Sequence, residues 1–205
     1  MHQTRQEITP KLPLARKGTK YVARALHNHR NAVPLIIAVR DMLHLAKNMR
    51  EVQEMIKKKL LKVNGKIAFD ARQSIQLFNT LEADKAYRLT LLPTGKFTFE
   101  PADKEERLCK VMNKTIASKG VFQLHLHDGT TLLTKETIAV GDSVVIDVSG
   151  KMKKHMPLAV GKKAFVIAGA YIGQPASVKE IVGKKVRIAL KDKETVIDQR
   201  SVVVL

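Results

Sequence analysis

Between residues 33 and 69 the apolar positions follow helical spacing twice and then switch to alternation. Leu35, Val39, Met42, Leu43 and Ala46 recur at i, i+4, i+7, i+8 and i+11, which predicts a helix with one apolar face. Pro34 suits its first turn, where a missing N–H is not needed. Val52, Met55, Ile56 and Leu60 form the stripe of a second amphipathic helix over about residues 50–60. Glu51 and Glu54 lie near its start and Lys57, Lys58 and Lys59 near its end, the order that the helix dipole favours. Residues 61–69 then alternate around Asn64-Gly65, the strongest short hairpin signal, because both central positions of a type I′ turn need positive φ. Val63, Ile67 and Phe69 are expected to face inward and the lysines outward.

Downstream the period is two. Residues 87–92 and 96–99 flank Pro93-Thr94-Gly95 and read as a second hairpin. Residues 103–107 are charged and fit a helical turn. Residues 108–116, 121–126 and 144–148 read as strands, with turns at Ser118-Lys119-Gly120, Asp128-Gly129 and Gly141-Asp142. Further short strands are expected at residues 163–168, 177–182, 185–190 and 201–205, enough for a small barrel.

Charge changes the picture. Lys plus Arg number 37 against 19 for Asp plus Glu, a formal net charge of +18. Such an excess points to a polyanionic partner, nucleic acid before an acidic membrane surface. The first 32 residues carry Arg5, Lys11, Arg16, Lys17, Lys20, Arg24 and Arg30 against Glu7 alone. Pro10, Pro13 and Gly18 interrupt them, so this arm is expected to be extended in water and to order on a polyanion. The single Cys109 allows no internal disulfide and favours a reducing, intracellular setting. No run approaches the length of a membrane span, and the N-terminus lacks a signal-like apolar core.

Catalytic chemistry finds little support. His125, His127 and Asp128 invite a metal reading, but a strand end with an Asp-Gly turn explains them more simply. Cys109, between Leu108 and Val111, reads as a buried apolar residue rather than a nucleophile. No paired carboxylates, nucleophile–base set or Gly-rich phosphate loop emerges, and no cofactor is expected.

The helix, basic helix and Val63-Asn64-Gly65-Lys66 hairpin resemble the S4-type RNA-binding module. Leu108-Cys109-Lys110-Val111, Lys119-Gly120, the run from Gln123 to Gly129, Gly141-Asp142-Ser143 and His155-Met156-Pro157 resemble the central domain of the archaeal and eukaryotic small-subunit ribosomal protein family S4e. Pro34-Leu35-Ile36, Arg40-Asp41, His27 and Arg30 resemble that family's entry into its S4-type module. Gly161, Gly169 and Gly173 fit the family's KOW motif, while Ala170 and Ala176 stand where glycines are usual. The chain also departs from the family in having no Trp and in carrying Ala25-Leu26 before His27.

The resemblance implies an α+β protein: a basic arm (1–32), an S4-type αα-hairpin plus sheet module (33–100), a β-rich central domain (101–158) and an SH3-like KOW barrel (159–205). It implies a structural, non-catalytic constituent of the small ribosomal subunit in the cytoplasm. Expected partners are small-subunit rRNA and neighbouring ribosomal proteins, with no membrane and no homo-oligomer. The RNA contacts are expected from Lys11, Arg16, Lys17, Lys20, Arg24, His27, Arg30, Arg40, His44, Lys47, Arg50, Lys57, Lys58, Lys59, Lys62 and Lys66. Two alternatives remain open: an RNA-modifying enzyme that uses the module for targeting, and a free RNA-binding factor built on the KOW barrel.

Overall fold

The computed structural model describes residues 3–102, 106–118, 120–190 and 193–205. The chain forms two compact units, residues 1–104 and 105–205. The architecture is mostly β, with two short α-helices and several antiparallel sheets. The expected balance of α and β therefore shifts toward β.

In the first unit the basic arm folds back on itself, contrary to the extended tail expected for it. β1 (Gln3–Thr4) pairs with β2 (Tyr21–Val22). Arg5 holds the intervening loop: its guanidinium donates to the carbonyl oxygens of Thr19 (2.8 Å) and Ala15 (2.5 Å) and to Thr19 Oγ1 (3.1 Å). Leu12, Val22 and Ala25 are buried. The composition of the arm conceals this, because one arginine bonded to three oxygens replaces the apolar residues that would otherwise close the loop.

β3 (Ala32–Pro34) leads into α1 (Leu35–Ile37), which continues as five π-helical residues, Ala38–Met42. The expected helix to Ala46 is thus cut short. Pro34 is its N-cap, in extended conformation, rather than part of its first turn. Every residue from Ala32 to Val39 is buried, so this segment is apolar on all sides and has no single face. α2 (Met49–Lys57) is the amphipathic helix. Asn48 caps it, accepting from the Glu51 N–H at 3.0 Å, while Glu51 accepts from the Lys47 N–H at 2.7 Å.

A five-stranded sheet follows, in the order β5-β4-β7-β8-β9. Its strands are β4 (Lys62–Val63), β5 (Lys66–Ile67), β7 (Thr80–Glu82), β8 (Ala86–Leu91) and β9 (Phe97–Pro101); β6 (Ser74–Gln76) pairs with β3 instead. Asn64 and Gly65 both have positive φ, 52° and 76°, as the type I′ turn demands. Val63 faces inward, but Ile67 and Phe69 do not: both are exposed.

The second unit contains two sheets. The first has the order β12-β11-β10-β13-β14. Its strands are β10 (Glu106–Ser118), β11 (Val121–Leu126), β12 (Thr131–Thr134), β13 (Ser143–Asp147) and β14 (Met152–Met156). Cys109, Val111, Leu124, Leu126, Ile138, Val144 and Ile146 form its core. Of the charged segment expected at 103–107, residues 103–105 lie outside the described residues, as does Lys119; Glu106 and Arg107 open β10. The second sheet curls into a half-barrel in the order β18-β17-β16-β15-β19. It comprises β15 (Lys163–Val166), β16 (Pro175–Val182), β17 (Lys185–Ala189), β18 (Glu194–Asp198) and β19 (Val202–Val204). Ala176 lies buried within β16, and neither it nor Ala170 has a positive φ. No glycine is needed at either position.

Candidate nucleic-acid interface

α2 delivers its lysines to a bent exit rather than to a straight helical row. Lys58 is the C-cap and Lys59 follows at φ 57°. The Leu60 N–H reaches Met55 O at 3.0 Å and the Lys59 N–H reaches Ile56 O at 2.9 Å. This crossed pair is the Schellman ending, whose left-handed position usually holds glycine. A lysine there costs about 1 kcal/mol of backbone strain. His44 shows the same choice at the end of the π-helical segment, with φ 56° and the Leu45 N–H bonded to Val39 O. Two exposed basic-type side chains therefore stand where the backbone favours glycine.

Lys57, Lys58, Lys59, Lys62 and Lys66 are all exposed, as are Lys47, Arg50, His27 and Arg30. Lys62 lies on β4 and Lys66 on β5, next to the helix exit in the chain. In the arm, Arg16, Lys17 and Lys20 are exposed around an open cavity of about 960 Å³ that Arg5 and Lys96 also line. Other expected contacts are already engaged. Lys11 donates to Asn31 Oδ1 at 2.6 Å, and burial lowers its pKa. Arg40 makes a two-pronged pair with Asp41 at 2.9 and 2.8 Å, a hydrogen bond that raises its pKa. Arg24 lies 3.3 Å from His29 Nδ1.

The strain at Lys59 gives a separable prediction. Lys59→Gly should raise thermal stability slightly, by about 0.5–1 kcal/mol. If the lysine meets a phosphate of a nucleic acid, the same change should lower that affinity about fivefold, the worth of one phosphate contact near physiological salt. Unfolding and filter-binding measurements on one preparation read both, and unchanged affinity would remove Lys59 from the surface.

The residues that carried the central resemblance serve the architecture of the second unit. Asp142 Oδ1 accepts from the Leu158 N–H (2.9 Å), and Oδ2 accepts from the Ala139 N–H (3.1 Å) and lies 2.7 Å from His155 Nε2. Ser143 Oγ accepts from the Val204 N–H, tying the first sheet to β19. Gly141 has φ 101°, and a Cβ there would come within 2.0 Å of Gln199 Nε2. Lys110 is the least expected member. It is almost fully buried, and its Nζ donates to the carbonyl oxygens of Gln199 (2.5 Å) and Val202. Burial pushes its pKa down to about 8. Its flanking residues, Cys109 and Val111, mark a core strand, but nothing in its residue type distinguishes it from an exposed lysine.

The residues once readable as metal or nucleophile sites are engaged elsewhere. His127 Nδ1 accepts from the Lys110 N–H at 3.1 Å, and His125 Nε2 lies 3.2 Å from Thr115 Oγ1. Asp128, its side chain enclosed, pairs with Arg107. Burial pushes the Cys109 thiol pKa up, and the Asp128 carboxylate adds to the effect. Among the described residues no group of three or more His, Cys, Asp or Glu side chains could hold a metal ion.

The first unit carries a basic surface on a helix exit and hairpin, and the second is held by internal polar joints. The family model described as Ribosomal family S4e matches residues 83–152. The small ribosomal subunit protein eS4 of Methanocella arvoryzae is 33% identical over 177 residues, covering 82% of this chain and 76% of that protein. The eS4 protein of Pyrobaculum aerophilum is 32% identical over 196 residues, covering 89% and 80%. The crystal structure of the 30S ribosomal protein S4e from Thermoplasma acidophilum superposes with a TM-score of 0.74 at 24% identity, covering 85% of this chain and 95% of that one, so the fold is shared. The chain belongs to the eS4 (S4e) family of ribosomal proteins.

Proposed function

We propose that this chain is a structural constituent of the small ribosomal subunit in the cytoplasm and binds folded small-subunit rRNA by lysine and arginine contacts to phosphates. Its family is non-enzymatic. The observation that carries the RNA reading is the exposed lysine series from Lys57 to Lys66, held on a strained helix exit and a type I′ hairpin. Ammonium groups carried on an ordered backbone match the spaced phosphates of a folded RNA without reading its sequence. In this reading residues 33–100 are an S4-type module and residues 159–205 a KOW-type barrel. The arm (1–32) adds Arg16, Lys17 and Lys20 to the RNA-holding surface, with His27, Arg30, His44, Lys47 and Arg50 beside the helices. The central sheet and the half-barrel fix orientation and meet neighbouring ribosomal proteins.

Sucrose-gradient sedimentation of a cell extract tests it. At moderate salt the protein should travel with small subunits. Purified protein and rRNA should lose about three to five orders of magnitude in affinity between 50 and 200 mM salt if roughly eight phosphates are contacted. A purely free pool at moderate salt would sink the proposal.

A further inference from the structure

The outward turn of Ile67 and Phe69 leaves a patch that phosphate contacts do not explain. Lys62 pairs with Ile67 across the hairpin, and the Ala68 N–H bonds to Leu61 O at 2.9 Å. Continued past the ladder's end through the Leu61–Ala68 bond, that register brings Leu60 across from Phe69. With a period of two, Leu60, Lys62, Ile67 and Phe69 share one face, while Leu61, Val63 and Ala68 are buried on the other. Leu60 is 54% exposed, Ile67 48% and Phe69 71%. Phe69 is the one exposed phenylalanine of six. The platform is also held in place. The Leu60 N–H is fixed by the helix ending, and the Phe69 N–H donates to Gln73 Oε1 at 3.2 Å.

We propose that Phe69, with Ile67 and Leu60, is a stacking platform for one unpaired base of the rRNA, whose flanking phosphates are held by Lys62 and the Lys57–Lys59 series. This rests on the rRNA reading above and names the element of the RNA that the surface receives. The rim decides between RNA and protein as occupant. Lysine is depleted in protein–protein interfaces, yet Lys62 stands on this face among the three apolar residues, and the exposed Lys57, Lys58 and Lys59 lead directly into it along the chain. Glu82, paired with Lys62 on β7, is the acid in the same row. An aromatic face set among ammonium groups is the combination that binds splayed-out bases, the ring taking the base and the cations taking the backbone.

The test compares Phe69→Ala and Phe69→Trp with the parent protein on purified small-subunit rRNA, reading affinity and its salt dependence. Stacking predicts a loss of about tenfold for Phe69→Ala, near-parent affinity for Phe69→Trp, and an unchanged salt slope in both, since no charge is altered. Melting should not move, because the ring is exposed. Ultraviolet crosslinking should join Phe69 to a nucleotide that pairs with no other. If the parent binds rRNA tightly and Phe69→Ala binds equally well, the platform is wrong while the rRNA reading stands. Equal rRNA binding combined with poorer incorporation into subunits would assign the patch to a protein neighbour and overturn the proposal. If the parent itself fails to bind rRNA, it is the underlying reading that fails.

Discussion

Replacing Lys57, Lys58, Lys59 and Lys62 together by Gln should lower affinity for small-subunit rRNA by roughly three orders of magnitude near physiological salt. The size follows from counterion release. Each phosphate neutralised contributes about 0.9 to the slope of log affinity against log salt, or about fivefold at about 0.15 M, and four contacts compound. The salt slope should therefore flatten by about 3 to 4. All four side chains are exposed, so the Gln variant should keep the fold within about 1 kcal/mol. Charge reversal to Glu should weaken binding further, but it places carboxylates at the C-terminus of α2, where the helix dipole disfavours them by about 0.3–1 kcal/mol each. The Gln and Glu sets together separate a binding loss from a folding loss. If the fold persists and both slope and affinity stay at parent values, these lysines only solvate the surface.

How far this surface was legible in the sequence depends on the scale of the signal. The Asn64-Gly65 turn was readable because its chemistry is local: two adjacent residues that tolerate positive φ fix the hairpin. The strands expected at 87–92, 108–116 and 121–126 were readable because alternation is local as well. The first helix was misread because periodicity assumes one buried face, and a segment buried on all sides has none; Ile36 and Ile37 broke the pattern and are as buried as Leu35. The arm was misread because its order comes from Arg5 reaching Thr19 and Ala15 across the loop, a long-range polar contact that composition does not record. The inward assignment of Ile67 and Phe69 treated apolar character as a direction. The hairpin register, carried past the Lys62–Ile67 pair, instead turns Phe69 and Leu60 to the outer face, and both are exposed. Lys110 is the same lesson with the sign reversed: its residue type says surface, and the sheet buries it against two carbonyl oxygens.

Asp128→Ala should be the most damaging single substitution in the second unit, destabilising it by about 3–5 kcal/mol. The Asp128 side chain is fully buried, and Arg107, its partner, is only 12% exposed. Asp128 Oδ1 also accepts from the Thr130 N–H at 3.0 Å and from Thr130 Oγ1 at 2.6 Å, which shapes the turn through Gly129. Removing the carboxylate strands a guanidinium in a poorly hydrated site and frees the turn at once. In a unit of this size such a loss lowers the melting temperature by roughly 15–30 °C. Asp128→Asn keeps the turn acceptor but not the charge, so its cost should be smaller, about 2–3 kcal/mol. Adding Arg107→Leu to Asp128→Asn should recover part of the loss, because no unpaired charge is then left buried. Urea unfolding of the parent, Asp128→Asn, Arg107→Leu and the double variant closes this double-mutant cycle. Additive losses would mean that the two side chains act independently.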